Sequence, residues 1–285
     1  MIERLCIIGV GLIGGSLALA LRRAGYVKHV VGTSRNEANL RKAVELGVID
    51  DYTLEPARAV AHADVVVLAV PLGAVRTVCE SIKDAMPRGA ILSDAGSAKG
   101  CVVNDVHAAF GSSLADFVPA HPIAGIEKNG VEAAFAELFD KRLTILTPLD
   151  STSPTATDRI TAMWEAAGSR VTVMEVAHHD QVLAATSHLP HVLAYGLVDS
   201  LARMEDVDEI FQYAAGGFRD FTRIASSDPV MWRDVCLANR AAVSQMIERY
   251  QTDLETLARA IAAADGDTLL NIFQHAKQTR DQFCG

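Results

Sequence analysis

Leu5-Cys6-Ile7-Ile8-Gly9-Val10-Gly11-Leu12-Ile13-Gly14-Gly15-Ser16 is the stretch that decides the fold. Leu5–Ile8 is an apolar run of strand length. Gly9, Gly11 and Gly14 follow in G-x-G-x-x-G spacing, and Leu17–Arg23 continues in good helix formers with no proline. A strand, a glycine turn and a helix in that order define a dinucleotide-binding fingerprint. Gly9 allows the tight turn, Gly11 lets backbone approach a pyrophosphate, and Gly14 lets helix and strand pack closely. The amides at the helix start, Leu12 and Ile13 among them, face the phosphates with the positive end of the helix dipole.

The next strand is expected over His29–Gly32. It ends in Thr33-Ser34-Arg35, with no acidic residue at the tip; Glu37 comes later, where a helix should begin. An acid there would bind the ribose hydroxyls of NAD, whereas two hydroxyls and a guanidinium suit a 2′-phosphate. This tip favours NADP over NAD, a solvated Arg35 that tolerates NAD being the alternative. Asp64–Val70 is a continuous apolar run, as in a parallel strand covered on both faces, and Val70-Pro71 at its carboxyl end should face the cofactor crevice.

Ala90–Ser93 reads as a further strand leading into Asp94-Ala95-Gly96-Ser97-Ala98-Lys99-Gly100, a loop with site chemistry. Then Asp116–Ala120 brings the chain to His121-Pro122-Ile123-Ala124-Gly125. At a strand end, His121 would point into the crevice; an imidazole bonded to backbone is the alternative reading. Arg142–Thr147 and Arg170–Val176 are two more expected strands around a helix near Thr155–Ala167. Alternating strands and helices give α/β architecture with a doubly wound, Rossmann-type sheet.

From Ala177 onward no strand is expected. Val243, Met246, Ile247, Tyr250, Leu254, Leu257 and Ile261 recur at helical spacing. The expected division is therefore residues 1–176 as the dinucleotide-binding domain and 177–285 as an all-α domain for substrate binding and dimerisation. The second half carries two polar groupings. His178-His179-Asp180 and Ser187-His188-Leu189-Pro190-His191 admit a metal site, but there is no H-E-x-x-H and Pro190 should disturb the helix, so polar packing or a metal-free pocket is preferred. Gly216–Arg223 reads as an arginine-rich turn that suits a substrate carboxylate.

Composition narrows the function classes. Half of the 285 residues are hydrophobic, and the net charge is −9 without a basic cluster, which argues against nucleic acid and against an anionic membrane surface. Leu5–Leu21 is interrupted by four glycines and lacks a basic leader, so neither a signal nor a span is expected. Five scattered cysteines, none in a C-x-x-C pair, fit a reduced, cytoplasmic protein.

Taken together, Gly9–Leu21, Asp64–Pro71, Ser93–Gly100, His121–Gly130, His178–His191 and Gly216–Trp232 resemble the prephenate and arogenate dehydrogenases, the cyclohexadienyl dehydrogenases of tyrosine synthesis. The resemblance spans nearly the whole chain. It implies oxidation of a ring alcohol by hydride transfer to NAD(P), with loss of carbon dioxide from the ring. It further implies His121 as the base, Ser97 beside the ring hydroxyl and the nicotinamide, and Arg223 on a substrate carboxylate. His191 would line the pocket with His188, His179, Trp232 and Gly217 as neighbours, and Glu127, Asp220 and Arg223 would form an ionic gate. Ile126 departs from the small hydroxyl residue of many relatives. Neither a mutase nor a regulatory domain is expected. The competing readings are another β-hydroxyacid dehydrogenase or imine reductase of this architecture, and a dinucleotide sensor without chemistry.

Overall fold

The computed structural model describes residues 1–112, 114–126 and 128–283. Glu127, expected in the gate, lies outside them. Met1–Arg240 form one compact unit and Ala241–Gly285 a second.

The first unit opens with β1 (Ile2–Ile8), α1 (Leu12–Arg23), β2 (Val27–Thr33), α2 (Glu37–Glu45), β3 (Asp51–Thr53) and α3 (Pro56–Val60). It continues with β4 (Val65–Leu68), α4 (Val75–Ile82), β5 (Ile91–Asp94), α5 (Gly100–Phe110) and β6 (Phe117–Val118). All six strands are parallel, in the order β3-β2-β1-β4-β5-β6. That is the strand order of dinucleotide-binding sheets, whose direction of winding reverses between β1 and β4. The strands are apolar on both faces because helices cover both. Leu5 and Ile7 join Leu17, Leu21 and Trp164 in one core layer; Cys6 and Ile8 join Val66, Leu68 and Val102 in the other.

At the reversal the glycines are sterically required. Gly9 has φ +100°, and a Cβ there would overlap the Ala69 carbonyl; a Cβ on Gly14 would overlap the Gly9 carbonyl. Gly11, by contrast, has nothing within 4 Å of where its Cβ would stand. It therefore leaves an open cradle at the start of α1, which has no side-chain cap. A pyrophosphate fits there, since the first amides of a helix lack intrahelical acceptors.

The later strands, expected as a continuation of the same sheet, instead build a second, three-stranded one. It has the order β7-β8-β9, from β7 (Ala120–Pro122), β8 (Leu143–Leu146) and β9 (Arg170–Val173), with α6 (Pro154–Ala166) between the last two. β7 runs antiparallel to β8, and β8 parallel to β9. Because β6 and β7 are separated by Pro119 alone, the chain leaves one sheet and enters the next within a single residue. His121 accordingly stands on an edge strand of the small sheet, not at the end of a parallel strand.

The rest of this unit is helical: α7 (Val176–Leu183), one π-helical turn (Ala184–His188), α8 (Leu189–Ala202), α9 (Val207–Gln212), α10 (Gly216–Thr222), a 3₁₀ turn (Arg223–Ser226) and α11 (Pro229–Ala238). Pro190 does not break the run. It lies in the first turn of α8, where a missing amide costs nothing, and the π turn precedes it. The second unit comprises most of α12 (Arg240–Ala262) and α13 (Gly266–Phe283). Among the described residues no helix is long and apolar enough to cross a membrane.

Candidate active site

The carboxyl end of β5 delivers the loop Ala95–Lys99, and the edge strand β7 delivers His121. α7 and the π turn bring His179, Asp180 and His188 against them. A continuous hydrogen-bond chain results. His121 Nδ1 lies 2.9 Å from His179 Nε2, and His179 Nδ1 lies 2.8 Å from Asp180 Oδ1. Asp180 also accepts from the backbone amides of Lys99 at 2.8 Å and Gly100 at 2.9 Å.

These partners fix the tautomers. A carboxylate only accepts, so His179 carries its proton on Nδ1 and presents a lone pair at Nε2. That lone pair receives the Nδ1 proton of His121. The free nitrogen of His121 is then Nε2, with its lone pair available as a base. Burial would raise the Asp180 carboxyl, but hydrogen bonds from His179 and the Lys99 and Gly100 amides outweigh it and hold it below the usual carboxylate range. His121 is pushed well below 6.5, first by burial and then by the Lys99 cation and the neighbouring His179 and His188. A neutral imidazole at neutral pH is the form a base needs.

His188 is buried and pushed down to about 4, chiefly by burial. The amide nitrogen of Asn239, at the end of α11, donates to the Asp180 carbonyl at 2.8 Å and lies 3.2 Å from His188 Nδ1. Asn239 thus ties the π turn to α7 and leaves the His188 proton on Nε2. No motif in the sequence marks it. His191 Nδ1 lies 2.8 Å from the Ser187 carbonyl, so its Nε2 carries the lone pair. Its ring stacks on Trp232 with centroids 3.5 Å apart at 19°, while His188 meets the same indole edge-on at 6.1 Å. Burial lowers the His191 pKa, the Ser187 carbonyl opposes that, and Arg223 lowers it further. The two histidines, Trp232 and Arg223 therefore combine flat neutral surfaces with one cation.

The region expected to be an arginine-rich turn is helical. Gly216 and Gly217 start α10, and Arg223 opens the 3₁₀ turn. The Tyr195 hydroxyl donates to the Ser227 carbonyl at 2.6 Å, which ties that turn to α8. Arg223, Gly217 and Asp220 are exposed, and Ser97 is half-buried.

At the other end of the cleft, Leu12 and Gly14 are buried while Gly9, Gly11, Ile13 and Val70 are partly open and Pro71 is exposed. The Thr33 side chain is fully buried; its carbonyl accepts from Gly9 at 2.9 Å, so Thr33 supports the glycine turn from behind. Ser34 and Arg35 are the members of that tip open to solvent. Glu37 is taken up by Arg41 at 3.1 Å and the Tyr52 hydroxyl at 3.3 Å.

No group of three or more metal-ligating side chains occurs among the described residues; His178 is exposed while His179 is buried. Burial pushes the thiols of Cys6, Cys79 and Cys101 up to about 12, so none of these three is a nucleophile near neutral pH.

A doubly wound parallel sheet whose winding reverses at an open glycine cradle defines a dinucleotide-binding protein. The chain belongs to the prephenate dehydrogenase family. Residues 17–173 match the family's nucleotide-binding domain and residues 175–275 its dimerization domain. It is 38% identical to the cyclohexadienyl dehydrogenase of Zymomonas mobilis, over 98% of this chain and 95% of that one. Among solved structures it is similar to prephenate dehydrogenase from Aquifex aeolicus in complex with hydroxyphenyl propionate and NAD+, with 36% identity, a TM-score of 0.92 and coverage of 99% and 98%. It is also similar to Synechocystis arogenate dehydrogenase, with 26% identity, a TM-score of 0.84 and coverage of 99% and 100%. The family is that expected from the sequence, and the β-hydroxyacid dehydrogenase and imine reductase alternatives are not favoured.

Proposed function

We propose that this enzyme oxidatively decarboxylates prephenate, arogenate or both, in tyrosine synthesis, with NADP as the favoured acceptor. The observation that carries the reading is the chain Asp180–His179–His121, which leaves the lone pair of His121 Nε2 outside its own hydrogen bonds. A bound nicotinamide dinucleotide supplies the hydride acceptor. Gly9, Gly11, Leu12, Ile13 and Gly14 would hold its pyrophosphate, Val70 and Pro71 would border it, and Ser34 and Arg35 would hold a 2′-phosphate.

The chain's own residues do the rest. His121 Nε2 takes the proton of the ring hydroxyl. Its Nδ1–H stays on His179, and the Asp180 carboxylate stabilises the positive charge that forms on the two rings. Ser97 orients the hydroxyl. Arg223 pairs with a carboxylate of the substrate, and the stacked His191–Trp232 pair gives the ring a flat wall that keeps water from one face of it. Asp220, which is exposed, and Glu127 would gate the site with Arg223. We further propose a homodimer through the helical part, supported by the match to a dimerization domain; its mass by light scattering tests this.

The decisive experiment compares prephenate and arogenate, each with NAD and NADP. NADP-preferring turnover of at least one of them is expected, and Arg35→Ala should raise KM for NADP by roughly 10-fold, the weight of a charge-assisted hydrogen bond, without raising KM for NAD. Turnover of neither acid would refute the reading. Arg223→Ala is expected to raise KM for the dienyl acid by roughly 10- to 100-fold on the same grounds. An unchanged KM would move the carboxylate partner elsewhere.

A further inference from the structure

Asp94 and Lys99 form an ion pair removed from water, with side chains 1% and 0% exposed. Such a pair is a weak source of stability, because the cost of stripping water from both charges offsets their attraction. What the pair grips is more informative. Lys99 Nζ donates to the Ala120 carbonyl at 2.6 Å, and Asp94 Oδ1 accepts from the Ala120 amide at 3.0 Å. The second oxygen of Asp94 holds the Gly96 amide at 2.8 Å as well as Lys99 Nζ.

Ala120 immediately precedes His121 on β7, an edge strand with β8 on one side only. The flanking bonds Thr147 N to Pro119 O, at 3.0 Å, and Ile123 N to Leu143 O, at 2.7 Å, show that odd-numbered residues face β8. The Ala120 N–H and C=O point to the unpaired edge, where the ion pair occupies the place of a neighbouring strand. Lys99 reaches the other end of the histidine chain too, since its backbone amide donates to Asp180 at 2.8 Å. One residue therefore holds the strand that carries His121 with its side chain and the carboxylate that terminates the chain with its backbone.

We propose that Lys99 is a positioning residue for the reaction: clamped by Asp94, it anchors the Ala120 peptide and so sets where the His121 imidazole stands relative to His179 and the cleft. The proposal rests on His121 as the base. The charged and titratable groups facing that imidazole are Lys99 from the β5–α5 loop, His179 from α7 with Asp180 behind it, and His188 from the π turn. Lys99 is the fixed cation among them, and it opposes protonation of His121.

The test uses Lys99→Met and the double variant Asp94→Asn/Lys99→Met in the full chain. Removing one charge strands the other, so the single variant should lose thermal stability, and removing both should restore it to within a few degrees. The double variant should nonetheless keep a kcat lowered about 10-fold or more, because small displacements of reacting groups are costly. Its dinucleotide dissociation constant should match wild type. The acid limb of kcat/KM should move to higher pH, the cation that disfavoured protonation being gone. A double variant that regains stability together with wild-type kcat and an unmoved limb would reduce Lys99 to a structural role. Failure of the single variant to fold leaves that comparison intact, and a double variant that does not fold would itself contradict a replaceable clamp. His121→Asn assayed alongside separates the two ideas: normal turnover there defeats the base assignment rather than the role of Lys99.

Discussion

His121→Asn lowers kcat by about 10²–10⁴, the usual cost of losing a positioned base, while dinucleotide affinity stays at the wild-type value. Asparagine keeps a polar group of similar size on β7 but has no lone pair that titrates near neutrality. The glycine cradle is formed at the winding reversal by β1 and α1 and does not depend on the imidazole. Stopped-flow or steady-state turnover with a titration of the dinucleotide reads both quantities; wild-type turnover would remove His121 from the mechanism. The wild-type pH profile carries the same assignment. The active form is unprotonated, and burial, Lys99, His179 and His188 all hold the His121 pKa below 6.5. Activity should therefore be flat through neutrality and fall only as the pH drops through a value below 6.5.

A folding control belongs with that profile. His188 is lowered to about 4 in the folded protein against an ordinary 6.5. The unfolded chain binds the extra proton first, so the stability that His188 contributes is complete above 6.5 and is lost as the pH falls toward 4. His121 contributes in the same direction. Loss of activity and loss of stability thus approach each other on the acid side, and only the unfolding midpoint measured at each pH separates them.

What could be read from the sequence was what is local. The strand, glycine turn and helix of Ile2–Arg23 are adjacent in the chain, and each glycine answers to a steric demand within a few residues or at one neighbouring strand. The division of the strands into two sheets was not legible. β7 is three residues long, and its partner β8 begins more than twenty residues later, so no periodicity announces the antiparallel pairing. The paired glycines at 216–217 suggested a turn because glycine is a helix breaker in a helix interior; at the first positions of α10 that penalty is small. Residues of the candidate site stood out where a dense cluster of polar types breaks an apolar pattern, as at Ser97, His121 and His191. Asp180 read only as a companion of histidines. Besides His179, its partners are Lys99 and Gly100, about eighty residues away, and a bond of that span leaves no trace in spacing. Asn239 is a single amide at a helix end, with nothing around it to suggest that it links α7 to the π turn.

That long-range bond sets the second large effect. Asp180→Asn is expected to lower kcat by about 10²–10⁴ through the tautomer of His121, two rings away. Asp180 offers acceptors to three donors: His179 Nδ1–H, the Lys99 amide and the Gly100 amide. Asparagine has one carbonyl oxygen for them. If that oxygen takes the place of Oδ2 and keeps the Gly100 amide, the NH₂ stands where Oδ1 met both the Lys99 amide and His179 Nδ1, and His179 must then present a lone pair at Nδ1 and carry its proton on Nε2. That proton points at His121 Nδ1, so His121 must accept there and carry its own proton on Nε2. The nitrogen that faces the cleft then donates and no longer accepts, and the hydroxyl has no base. If the amide turns the other way, the NH₂ meets the backbone N–H of Gly100 instead, so either orientation strands one backbone donor, at about 1–3 kcal/mol. The two outcomes separate cleanly. A midpoint lowered by the stranded amide together with a kcat lowered about 10²-fold or more, measured where the variant is still folded, means that Asp180 governs the proton arrangement of the chain. A lowered midpoint with kcat intact means that it serves only to pin α7 to the start of α5, and the relay through His179 would then play no part in the reaction.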